Sequence, residues 1–87
     1  MPGTINVLYF ARLRDKIGLE AESVDLPDHV HTVGDLLRLI ETRSDAHGDA
    51  FSDRASIRAA IDQQHAGLDA ELGSAREVAF FPPMTGG

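Results

Sequence analysis

The chain opens on a run in which apolar residues occupy both faces of an extended segment. In "TINVLYFA", Ile5, Val7 and Tyr9 point one way, and Asn6, Leu8 and Phe10 point the other. Its β-branched and aromatic content predicts a strand, either buried on both faces or showing one apolar face to a partner. "RLRDKIG" then reads as a short helix or turn ended by Gly18, and "EAESVDL" as a second strand closed by Pro27. The period changes at "TVGD", Thr32 to Asp35, a variant capping box with Asp where Glu or Gln is usual. Val33, Leu36, Leu37 and Ile40 follow at helical spacing and predict a helix over about residues 33–43.

Beyond that helix, "SDAHGDAFSDRAS" reads as a polar loop with Phe51 as its lone anchor. "IRAAIDQQ" sets Ile57, Ala59 and Ile61 on one face of a third strand, and "HAGLDAEL" reads as a short strand or turn. "REVAFF" is the last strand, with Val78 and Phe80 on one face and Ala79 and Phe81 on the other. One amphipathic helix among strands must cover one face of a single mixed sheet, which makes the fold α+β. A helix between the second and third strands lets the first and last lie parallel at the sheet centre, the layout of a β-grasp domain. Tyr9 and Phe10 near one end, and Phe80 and Phe81 near the other, fit two distant segments packed side by side.

Composition narrows the functions. At 87 residues the chain is one domain, and 43% hydrophobic residues suffice for a core. The formal charge of -6 disfavours nucleic acid and favours a basic protein partner. The absence of cysteine excludes disulfides, a thiol nucleophile and thiolate metal sites, and fits a cytoplasmic location. No signal peptide and no stretch long enough to span a bilayer is expected. His29, His31, His47 and His65 lack metal-site spacing and read as solvated or capping residues. No serine stands in a nucleophile elbow, and there is no phosphate loop.

The remaining candidate is the end, "FFPPMTGG". Pro82 and Pro83 stop the strand and hold the chain extended. The six residues after Phe81 reach about 20 Å at roughly 3.3 Å each. Gly86 and Gly87 carry no Cβ, so a narrow channel admits them where a side chain would clash. The residues alone leave two readings, a frayed terminus or a tail whose carboxylate is the working group.

"EVAFFPPMTGG" resembles the C-terminal signature of the small subunits of molybdopterin synthase, the sulfur carriers of molybdenum cofactor synthesis. "INVLYFARLRDKIG" resembles the first strand and short helix of that family, and "HTVGDLLRLI" its main helix. The resemblance implies a ubiquitin-like β-grasp over residues 1–81 and an extended tail over residues 82–87. It implies that an ATP-using activating enzyme adenylates the Gly87 carboxylate and that a sulfur donor protein converts it to a thiocarboxylate. It further implies that the tail, with Met84, Thr85 and Gly86, inserts into the synthase large subunit. There the sulfur is transferred to cyclic pyranopterin monophosphate. Phe10, Phe81, Leu8 and His65 would form the docking face, and Val7, Tyr9, Val78 and Phe80 the core. No metal and no permanently bound cofactor is implied, ATP being used by the activating enzyme.

The sequence departs from the family pattern at His65, where an apolar residue is common, at Asp62, where Asn is common, and at the "GSAR" turn, Gly73 to Arg76. Other readings are a sulfur carrier for thiamine synthesis, a carrier for tRNA thiolation, a protein modifier, or a β-grasp binding module whose tail does no chemistry.

Overall fold

The computed structural model describes residues 3–83. Strand β1 (Thr4–Tyr9) runs into helix α1 (Ala11–Ile17) and returns as β2 (Ala21–Asp25). Helices α2 (Val33–Glu41) and α3 (Asp45–Ala50) follow, then a 3-10 turn (Arg54–Ser56), β3 (Arg58–Ile61), β4 (Gln64–Ala66) and β5 (Glu77–Phe81). The sheet order is β2-β1-β5-β3-β4, with β1 and β5 parallel and the other pairs antiparallel. The first and last strands therefore lie side by side inside the sheet, as the aromatic pairs at the two ends of the sequence require.

Helix α2 starts where the capping box places it. The Asp35 N–H donates to the Thr32 hydroxyl (3.1 Å), and the Asp35 carboxylate accepts from the N–H groups of Thr32 (3.2 Å) and His31 (3.0 Å). The next free donors are also met: the N–H of Val33 bonds the Ala70 carbonyl (3.0 Å) and that of Gly34 the Leu68 carbonyl (2.7 Å). The helix ends at Glu41, two residues before the sequence expectation, because the Thr42 hydroxyl takes the Leu39 carbonyl at 2.8 Å.

Val33, Leu36, Leu37 and Ile40 face the sheet and are buried with Ile5, Val7, Tyr9, Val24, Val78 and Phe80. Phe51 sits among them, its ring 5.2 Å from that of Phe80 and 6.2 Å from that of Tyr9. The segment read as a polar loop contains helix α3, capped by the Ser44 hydroxyl on the His47 N–H (3.2 Å). Gly48 concealed it, since glycine inside a helix argues against one. Its place is explained by packing: a Cβ there would stand 3.2 Å from the Glu41 carbonyl oxygen, so the missing side chain lets α3 approach the end of α2.

Candidate functional site

The face of the sheet turned away from α2 divides into two halves. The registers place Ala21, Leu8, Ala79, Ala60 and His65 in one row across all five strands. One step nearer the end of β5, Arg58 pairs with Phe81. The Phe10 N–H donates to the Phe80 carbonyl (3.1 Å), which continues the β1–β5 ladder past Tyr9 and sets Phe10 beside Phe81. In the other direction the row is Ser23, Asn6 and Glu77. Apolar surface is thus confined to the half from which the chain leaves β5.

The structure therefore brings Leu8, Phe10, His65 and Phe81 together on one face. Its floor is shallow because the row contains three alanines. The His65 and Phe81 rings meet edge to face, with centroids 5.5 Å apart, although their strands are separated by β3. The small Ala60 between them permits this, and its own exposure falls to 8%. Phe10 remains 46% exposed. Val7, Tyr9, Val78 and Phe80, the alternate positions, are buried.

Two local devices place these side chains. Ala11 adopts φ 54°, a left-handed conformation that costs a non-glycine residue about 1 kcal/mol, and so turns the chain into α1 immediately after Phe10. At the β3–β4 hairpin, Asp62 (φ 47°) and Gln63 (φ 73°) form the two-residue turn that fixes the register of His65. The Asp62 carboxylate also accepts from the N–H groups of Arg76 (3.1 Å) and Glu77 (3.0 Å) and joins the hairpin to the start of β5. Asn offers the same oxygen, which accounts for the Asp62 departure without loss of the turn.

Pro82 and Pro83 follow β5 and are half-buried. The candidate tail residues Met84, Thr85, Gly86 and Gly87 lie outside the described residues. A groove of about 610 Å³, lined by Thr4, Asn6, Leu26, Pro27, His31 and Arg76 among others, occupies the opposite end of the sheet, away from this exit. Among the described residues there is no cluster of three or more His, Cys, Asp or Glu that could hold a metal ion, and no helix is long and apolar enough to cross a membrane.

A polar centre that the sequence reading missed lies on the helix side of the sheet. Glu22 accepts from the Tyr9 hydroxyl (2.6 Å), faces the His47 ring nitrogen Nε2 (2.7 Å) and pairs with Arg43 (3.3 Å). Burial raises its carboxyl, but the hydrogen bonds of Tyr9 and His47 and the charge of Arg43 outweigh this and hold it below the usual carboxylate range. Burial first, and the Glu22 bond second, push the Tyr9 hydroxyl well above the usual phenol range, so Tyr9 is a neutral donor. His47 is buried rather than solvated, and its Nδ1 lies 2.7 Å from the Ser44 hydroxyl. These groups join β1, β2 and α3 and face away from the apolar floor.

The sequence profile of the ThiS family matches residues 7–87. The chain belongs to the ThiS family. It is 39% identical over 85 residues to the molybdopterin synthase sulfur carrier subunit of Escherichia coli (strain K12), covering 95% of this chain and 99% of that protein. The fold matches a Pyrococcus furiosus structure described as a molybdopterin converting factor, subunit 1, with a TM-score of 0.74, 27% identity, and coverage of 94% of this chain and 99% of the other. It also matches SAMP1 of Haloferax volcanii, a small archaeal modifier protein, with a TM-score of 0.71, 29% identity, and coverage of 98% and 100%. The family resemblance read from the two ends of the sequence and the ubiquitin-like β-grasp it implied are both borne out. In this ThiS-family fold, the apolar floor and the exit of the C-terminal segment share one end of the sheet.

Proposed function

We propose that this chain is the sulfur carrier subunit of a molybdopterin synthase and that Gly87 carries the sulfur. The observation that supports this best is the coincidence of the apolar floor with the chain exit. A partner seated on Leu8, Phe10 and Phe81 necessarily lies where the segment after Pro83 departs. The similarity to the E. coli sulfur carrier subunit gives that arrangement its chemical content, and the family match extends to Gly87.

The steps follow from the reactivity of a carboxylate, which lacks a good leaving group. An oxygen of Gly87 attacks the α-phosphate of ATP on an activating enzyme, releasing pyrophosphate. The outer sulfur of a donor protein's persulfide then attacks the acyl carbon and expels AMP, and a thiol reduces the resulting acyl disulfide, which frees the donor and leaves a thiocarboxylate. Within the synthase large subunit, the thiocarboxylate sulfur attacks a side-chain carbon of cyclic pyranopterin monophosphate and displaces an oxygen substituent from it. Hydrolysis of the acyl carbon–sulfur bond leaves sulfur on the pterin and restores the carboxylate. Gly86 and Gly87 suit this path because they pass a narrow channel with the least bulk.

The test is reconstitution of the full chain with an activating enzyme, a sulfur source, the large subunit and the pterin precursor. Intact mass should rise by the difference between sulfur and oxygen, and molybdopterin should form. Adding one alanine after Gly87 should abolish both reactions while leaving the fold intact, since misplacement of a reacting atom by about 1 Å costs on the order of a hundredfold in rate. An extended chain that makes molybdopterin at the normal rate, untrimmed by mass, would refute the proposal. The likeness to SAMP1 supports a second reading, in which the activated Gly87 acyl group is joined to another protein. Conjugates appearing in place of the thiocarboxylate would favour that reading.

A further inference from the structure

The chain has fourteen acidic and eight basic residues, so a cation can readily find a carboxylate. Arg14, Arg38, Arg43 and Arg54 each pair with one. Among the described residues Arg12, Lys16, Arg58 and Arg76 have no carboxylate partner, and of these Arg12 and Arg58 stand together at the chain exit. Arg58 is opposite Phe81 in the ladder, and Arg12 follows Phe10 by two positions. Both rest on the same short stretch of backbone. Arg12 Nη2 donates to the Ser56 carbonyl (3.4 Å), and Arg58 Nη1 to the carbonyls of Ala55 and Ile57 (3.1 Å each). The nearby Asp53 carboxylate accepts from the Ser56 hydroxyl at 2.6 Å.

Two like charges are thus held on consecutive carbonyls, each with guanidinium donors to spare, beside an apolar floor. Such an arrangement is stabilised when an anion enters between them. We propose that Arg12 and Arg58 form a clamp for a carboxylate at the mouth of the large-subunit channel that receives the tail. This rests on the sulfur-carrier reading above. The anion is not the phosphate of the activated terminus, because a tail extended through a channel carries Gly87 about 20 Å from Phe81. The clamp therefore acts on docking and not on the acyl chemistry.

The test measures association of the full chain with the synthase large subunit at several salt concentrations. Arg12→Glu with Arg58→Glu should slow association on the order of tenfold at low salt, with the difference shrinking as salt rises. Arg12→Lys with Arg58→Lys should restore most of the rate, and melting curves should be unchanged because both side chains are exposed. Sulfur transfer at saturating carrier should match the wild type. A double Glu variant with the wild-type rate and salt dependence, alongside a Phe81→Ala variant that still binds weakly, overturns the clamp and leaves the sulfur-carrier reading standing. Failure of the wild-type chain itself to bind the large subunit overturns both.

Discussion

Glu22 occupies a position on β2 that alternation assigns to the core, two residues before the buried Val24. An ionised acid there requires partners, and Tyr9, His47 and Arg43 supply them. Part of this was legible, because the spacing of Glu22 and Val24 puts an acid on the wrong face for a solvated one. Its partners were not, since His47 and Arg43 come from a segment whose approach to β2 depends on the tertiary fold. The folded-state pKa of Glu22 lies below its ordinary value of 4.5, so its contribution is present above that pH and is lost as pH falls through the lower folded value. Glu22→Gln should therefore lower stability at neutral pH by about 1–3 kcal/mol and flatten the loss of stability below pH 4.5, as followed by denaturant titration across pH. Asp35 acts in the same direction: N–H donors from His31 and Thr32 bring its carboxyl down to about 2, and the capping box weakens as pH falls toward that value.

At the scale of elements, helix α2 was the most legible part because periodicity and cap agree, and Leu36, Leu37 and Ile40 are all buried as expected. Leu37→Ala should cost about 2–5 kcal/mol in a denaturant titration, the range for a fully buried leucine. The hairpin is the opposite case. "DQ" is not a typical sequence for a turn that needs two positive φ values, so the sequence suggests neither its type nor its register. Gln63→Gly should relieve the backbone and raise stability by about 0.5–1 kcal/mol, whereas Asp62→Ala should lower it, because two N–H groups at the start of β5 lose their acceptor. If thermal melts show Gln63→Gly to be destabilising, the turn geometry is wrong.

For the molecule as a whole, the two-sided strands were the informative signal. A strand with bulk on both faces in a sheet covered on one side must show the other side to something, and Phe80 and Phe81 separate those roles. Phe80→Ala should cost about 3–5 kcal/mol of folding stability and Phe81→Ala about 1 kcal/mol or less, with Phe81→Ala instead weakening capture by the large subunit. A reversed pattern in paired melting and binding measurements would exchange the two faces. The convergence of Arg12 and Arg58 could not be read from the sequence, because it depends on the 3-10 turn bringing its carbonyls beside the start of α1. The position of β5 also has a consequence for biosynthesis. Among the described elements it is translated last, yet it fills the middle of the sheet, between β1 and β3. Until it emerges from the ribosome, those two strands have no neighbour to join them, and the nascent polypeptide can hold only fragments of its sheet. Ala79 and Phe81 arrive with it, so the apolar floor is completed only when β5 closes the sheet.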